Sequence, residues 1–152
     1  MKNLVFCFGL LLFAISCNNS KVVSSETDKL KNFEVIHQSE YGGRGVETTM
    51  VLTDQESFTK FWQETLNAYS DSQEIPSIDF NEKMVIAQHF QSRNSGGTTY
   101  EIISVNQSGN QTQVNYAVSS PEGMATMAIT SPLLIVVVQK TSDPLVEFRA
   151  QN

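Results

Sequence analysis

Short runs of β-forming residues, separated by polar and glycine-rich breaks, make up most of this chain, and two stretches depart from that rhythm. One is an unbroken apolar run at 4–15. The other is a helical stripe: Phe58, Phe61, Trp62 and Leu66 recur at i, i+3, i+4 and i+8, with Lys60, Gln63 and Glu64 on the other face. Thr53, Asp54, Gln55 and Glu56 stand before it as a capping box, Thr53 placed to accept from a first-turn amide and Glu56 to reach back to the cap. This predicts one amphipathic helix (54–66). An aromatic stripe at that spacing packs against a sheet far more often than it lines a ligand box, so Trp62 is expected in the core.

The remaining pattern reads as strands. Residues 33–39 and 46–52 have strand composition, and the intervening Tyr41-Gly42-Gly43-Arg44-Gly45 has the glycines of a hairpin loop. Strands follow at 84–90, 98–105 and 113–119, the last two joined by a turn-forming segment at 106–110. A further strand is expected at 125–130, after the break at Pro121, Glu122 and Gly123. Six consecutive aliphatics after Pro132 suit a strand at 133–139 buried on both faces. A short edge strand at 145–149 completes the set. The fold class expected is α+β, mainly β: antiparallel sheet or sheets of about seven or eight strands with the single helix packed on the sheet.

The apolar run at 4–15 is twelve residues long, shorter than the roughly 20 needed to span a bilayer. Lys2 precedes it, and Ala14-Ile15-Ser16 leads directly into Cys17. That arrangement resembles a bacterial lipoprotein signal. It implies cleavage after residue 16, a diacylglyceryl thioether on Cys17 and acylation of the new amino group by a chain of the palmitate kind. With about 0.8 kcal/mol per buried methylene, two or three such chains anchor a protein where one does not. Asn18 follows the cysteine, where an aspartate favours retention in the inner membrane of many Gram-negative bacteria. The expected address is therefore the outer membrane, facing the periplasm or outward. Residues 18–32 are polar and Ser-rich, so 17–32 reads as lipidated cysteine plus tether with an extended reach of roughly 50 Å. Residues 33–152 read as a single domain.

Loss of residues 1–16 leaves 136 of the 152 residues, enough for one core, with 9 basic against 16 acidic side chains and a net charge of −7. Scattered bases among more numerous acids exclude nucleic acid and anionic headgroups as polyanionic partners. Of the two cysteines, Cys7 leaves with the signal and Cys17 is reserved for lipid. The domain is therefore expected to hold no disulfide, zinc-thiolate site or cysteine nucleophile, and to need no cofactor or metal.

Candidate chemistry is sparse. His37 and His89 lie 52 residues apart, each in an expected strand and outside any metal-ligand spacing. They are expected as half-exposed sheet residues. The glycine-rich 41–45 segment lacks the Lys-Ser/Thr ending of a phosphate loop, and no G-x-S-x-G elbow occurs. Asp79 and Glu82 form an acid pair, but a glycosidase also needs aromatic platforms, and the one tryptophan is assigned to the core. One loop, residues 91–100, stands out. Arg93, Asn94, Ser95, Gly96, Gly97 and Tyr100 combine a directional cation, close-approach glycines and rigid aromatic area, the makings of a partner-binding loop. The plainer reading is a strand connection with Tyr100 packed in the sheet.

Residues Ile78-Asp79-Phe80, the strand from Met84 to Ala87, Ser95-Gly96-Gly97-Thr98-Thr99-Tyr100, Pro121-Glu122-Gly123 and the proline-led strand from Pro132 to Lys140 together resemble, in order and spacing, the PrcB C-terminal domain family of protease-complex subunits. The resemblance covers roughly residues 78 to 140. It implies a noncatalytic lipoprotein domain with a protein partner, associated with assembly or stability of a secreted subtilisin-like protease. Two other readings remain beside it: a peptidase-inhibitor-like binding module using the same loop, and a hydrolase with an unrecognised site.

Overall fold

The computed structural model describes residues 32–66, 74–121, 123 and 126–151. The expected signal, Cys17 and nearly all of the tether lie outside them. Seven strands and one helix follow in the order β1 (Phe33–Ser39), β2 (Thr48–Leu52), α1 (Gln55–Thr65), β3 (Lys83–His89), β4 (Thr99–Ser108), β5 (Gln111–Ser119), β6 (Leu133–Gln139) and β7 (Leu145–Gln151). The fold is α+β and mainly β. A four-stranded sheet of order β1-β6-β3-β2 and a three-stranded sheet of order β4-β5-β7 pack together, with α1 on the outer face of the four-stranded one.

Strand alternation explains the layering. Met84 and Ile86 of β3 and Leu134, Val136 and Val138 of β6 point towards Tyr100, Ile102, Val105, Val114 and Tyr116 of the other sheet. The intervening Val85, Ala87, Leu133, Ile135 and Val137 point the opposite way, against Phe58, Phe61, Trp62 and Leu66. Both central strands are therefore buried on both faces, as the aliphatic run in β6 predicts. Trp62 lies in the core, tilted against Phe58 with ring centroids 5.4 Å apart.

The helix begins one residue later than the capping box suggests. Asp54 is the cap: its carboxylate accepts from the Ser57 amide at 2.8 Å and the Ser57 hydroxyl at 2.9 Å. Those two bonds hold the Asp54 carboxyl below its usual range. Lys140, at the end of β6, donates to the Thr53 and Phe80 carbonyls at 3.0 and 2.7 Å, pinning the entry to α1 and the turn before β3 to the central strand.

Connectivity departs from the expected run of hairpins. The β4–β5 hairpin forms, with Gly109 at φ 60° in its turn. The glycine-rich segment after β1 makes no hairpin. It carries the chain to the other edge of the sheet, since β1 pairs with β6 and β2 with β3. β5 and β7 run parallel, contrary to the all-antiparallel expectation. The chain enters the first sheet as β6 between them, which supplies the crossover a parallel pair needs. Residues 126–129 form no strand; only Thr130 pairs, in a single bridge with Arg93.

Two bulges set which side chains face inward. On β1, Val35 and His37 pair with consecutive residues of β6, and Ile36 is the extra residue; Ile36 and His37 both reach the α1 side. On β4 the register shifts at Ile103, so the buried parity passes from Tyr100 and Ile102 to Val105.

Phe58 is completely buried beneath α1. Phe58→Ala is expected to destabilise the domain by about 3–5 kcal/mol through lost burial and an unfilled cavity, read as a lowered midpoint in urea unfolding. A loss under 1 kcal/mol contradicts the role given to α1.

Candidate functional site

The loop singled out by composition is stitched into one end of the molecule by its backbone. Residues 126–131 run as a strip between two loops. On one side Ser131 donates its amide to the Glu40 carbonyl at 2.9 Å and accepts from the Gly43 amide at 2.7 Å. On the other, Arg93 and Thr130 exchange amide-to-carbonyl bonds at 3.0 and 2.9 Å, and the Gly96 amide reaches the Thr126 carbonyl at 3.1 Å. Ser92 donates to the Gly45 carbonyl at 3.1 Å, joining the outer loops directly. A Glu40 carboxylate oxygen accepts from the Gly97 amide at 2.6 Å.

This wiring changes the roles of the candidate residues. Tyr100 is buried and stacked on Phe90, with centroids 3.8 Å apart and planes 20° from parallel, so its ring presents no contact area to a partner. Arg93 is turned inward: its Nε donates to the Tyr100 hydroxyl at 2.9 Å, and its guanidinium carbon lies 5.8 Å from the Tyr100 ring centre. The glycines serve the protein's own close packing. A Cβ on Gly96 would stand 2.7 Å from the Thr126 hydroxyl oxygen, and Gly97, at φ 85°, would place one 3.0 Å from Pro121. Ser95 is half-buried, and its carbonyl accepts from the Thr130 hydroxyl at 3.3 Å. Of the six candidates, Asn94 and Gly97 are exposed.

The exposed chemistry sits on the neighbouring strip. Met127 is 99% exposed and Ile129 76% exposed. They alternate outward, while Thr130 turns in and is buried. Tyr41 and Val46, on the loop bonded to the other side of the strip, are also exposed apolar residues. Sequence reading missed this pair because Met-Ala-Ile alternation has the signature of a strand, and whether such a run finds a pairing partner depends on distant residues. The telling signal was an alternating run whose outward positions carry large apolar groups.

Of the two histidines expected as half-exposed sheet residues, His37 conforms and His89 departs. His89 is fully buried and His37 half-buried, and both face α1: His89 lies edge-on to Phe61 at 6.1 Å and His37 edge-on to Trp62 at 6.0 Å. Both ring nitrogens of His89 and Nε2 of His37 are buried without a hydrogen-bond partner. Burial, aided at His89 by the Arg44 guanidinium, holds both imidazoles below the usual histidine range. Asp79 is occupied locally, its carboxylate accepting from the Asn81 amide and side chain at 2.9 Å each. Among the described residues, no group of three or more His, Cys, Asp or Glu is placed to hold a metal, and no helix is long and apolar enough to cross a membrane.

No family model, curated protein or solved structure matches the chain.

The buried imidazoles give stability a definite dependence on acid. Near and below the ordinary histidine pKa of about 6.5, the unfolded chain binds protons that the folded chain refuses, so stability present above that pH is lost as pH falls towards the lowered folded values. The urea midpoint is expected to fall between pH 7.5 and 5.5, and His89→Leu to flatten that fall. An equally steep loss in the variant assigns the acid sensitivity elsewhere.

Proposed function

We propose that this chain is a bacterial lipoprotein, anchored to the outer membrane through Cys17, whose domain is a noncatalytic protein-binding module. A task in the assembly or stability of a secreted protease complex is what its resemblance to the PrcB C-terminal domain family suggests. The observation that carries the binding reading is the exposed pair Met127 and Ile129 on a strip braced from both sides by backbone hydrogen bonds. Large apolar side chains on a backbone that is already ordered lose little conformational entropy on docking, which favours a protein surface as the ligand. Methionine adapts to irregular partner surfaces. The loop at 91–100 contributes the brace and the exposed Asn94 at its tip, rather than the contact face first assigned to Arg93 and Tyr100.

Crosslinking in intact cells, followed by capture through the domain, tests the reading. A protein partner is expected, with recovery reduced at least tenfold in the Met127→Asp, Ile129→Asp double variant at unchanged melting temperature, as befits the loss of interface anchors. Capture undiminished in that variant, or recovery of a small molecule and no protein, overturns it. Membrane anchoring has its own test: Cys17→Ser is expected to move the protein from the membrane to the soluble fraction, with no bound acyl chain in its mass spectrum.

A further inference from the structure

Four strand edges end the two sheets: β1 and β2 in one, β4 and β7 in the other. An open edge is a row of unpaired amides and carbonyls, a template for another chain. Two of these edges are interrupted, β1 by its bulge at Ile36 and β4 by its bulge at Ile103, and a bulge breaks the ladder an added strand must follow. β7 carries an exposed charged pair, Glu147 and Arg149 at 2.8 Å, of the kind that discourages pairing at an edge strand. β2 pairs with β3 in unbroken register from Thr48 to Leu52 and leaves its outer side open.

Beside β2 lies a groove of about 580 Å³, bounded on its far side by α1. Its floor is apolar, built from Met50, Leu52 and Phe61. The helix wall uses a second stripe, adjacent to the core stripe: Ser57, Lys60 and Glu64 at i, i+3 and i+7. Arg44 stands at the glycine-rich end and has no hydrogen-bond or ion-pair partner among the described residues. Lys60 and Glu64 approach only to 4.0 Å, both largely exposed. The groove thus carries two cations to one carboxylate, in a chain with 16 acidic and 10 basic residues.

We infer that this groove receives an extended segment of a partner protein, added as a strand on β2, with an apolar side chain on the Met50, Leu52 and Phe61 floor and a carboxylate at Arg44 and Lys60. Main-chain bonds to the edge supply affinity, and alternate side chains reach the floor, so one apolar residue and one acidic group at strand spacing form the recognised pattern. Five residues of edge offer about 17 Å of ladder. The surface is separate from Met127 and Ile129 and does not depend on the function proposed for them.

The test uses the full-length chain in detergent micelles, with empty micelles as blank. The probe is a fluorescein-labelled octapeptide of alternating Thr and Val ending in Glu-Leu with a free carboxylate; its control carries Gln and a terminal amide. The acidic peptide is expected to bind and to slow amide exchange at residues 48–52. Its affinity should fall at least fivefold with the control peptide and with Arg44→Gln, an exposed substitution that leaves the core intact, and should weaken with added salt. Met127→Asp should leave it unchanged, which separates failure here from failure of the loop-end reading. No binding at millimolar peptide, equal affinity for both peptides, indifference to Arg44→Gln, exchange protection at another edge, or self-association through β2 that excludes the peptide would each overturn the inference.

Discussion

Six consecutive apolar residues at 133–138 put side chains on both faces of the sheet that contains them, and water can be kept from both faces only by a layer on each side. That constraint organises the molecule. β6 takes an inner position between β1 and β3, β3 carries apolar side chains on both faces beside it, α1 covers one side and the three-stranded sheet the other. The 11-residue helix is marginal as an isolated element. It persists because Phe58, Phe61 and Trp62 bury against β3 and β6, and because Lys140, at the end of the same strand, ties its entry in place.

Covering the central sheet on both faces leaves exposed backbone at its ends and edges, and that is where the candidate binding surfaces lie. At one end, the loop after β1, the strip before β6 and the loop after β3 satisfy one another's amides and carbonyls. Polar pairing of this kind uses up the residues that looked most like ligands. Arg93 and Tyr100 bond to each other, Gly96 and Gly97 make room for Thr126 and Pro121, and the outward positions fall to Met127 and Ile129. At the edge beside α1 the helix serves twice, with one stripe in the core and the next lining an open groove.

The buried histidines belong to the same economy of layers. His37 and His89 fill the flanks of the interface between α1 and the sheet, where their rings pack against Trp62 and Phe61 but Nε2 of His37 and both nitrogens of His89 find no partner. A neutral imidazole is tolerated there as a flat, mostly apolar plate. Protonation would add a charge within the helix contact, and burial lowers both imidazoles accordingly, so acid is expected to act on the interface that holds α1.

Local periodicity determined the helix, all seven strands to within a few residues, the core role of Trp62 and the double burial of β6, because each depends on residues a few positions apart. Which strands pair was not legible. The glycine-rich segment after β1 is compatible with a hairpin, and only the pull of β6 into the inner position between β1 and β3 turns it into a crossing from edge to edge. The parallel pairing of β5 with β7 arises in the same way, from a strand placed in the other sheet between them. Site chemistry followed suit: composition located a loop rich in binding-type residues, but a side chain's availability depends on what packs against it. Tertiary structure turned Arg93 and Tyr100 inward and left Met127, Ile129 and the β2 edge open, because contacts between residues tens of positions apart decide which polar groups are satisfied and which surfaces remain unpaired.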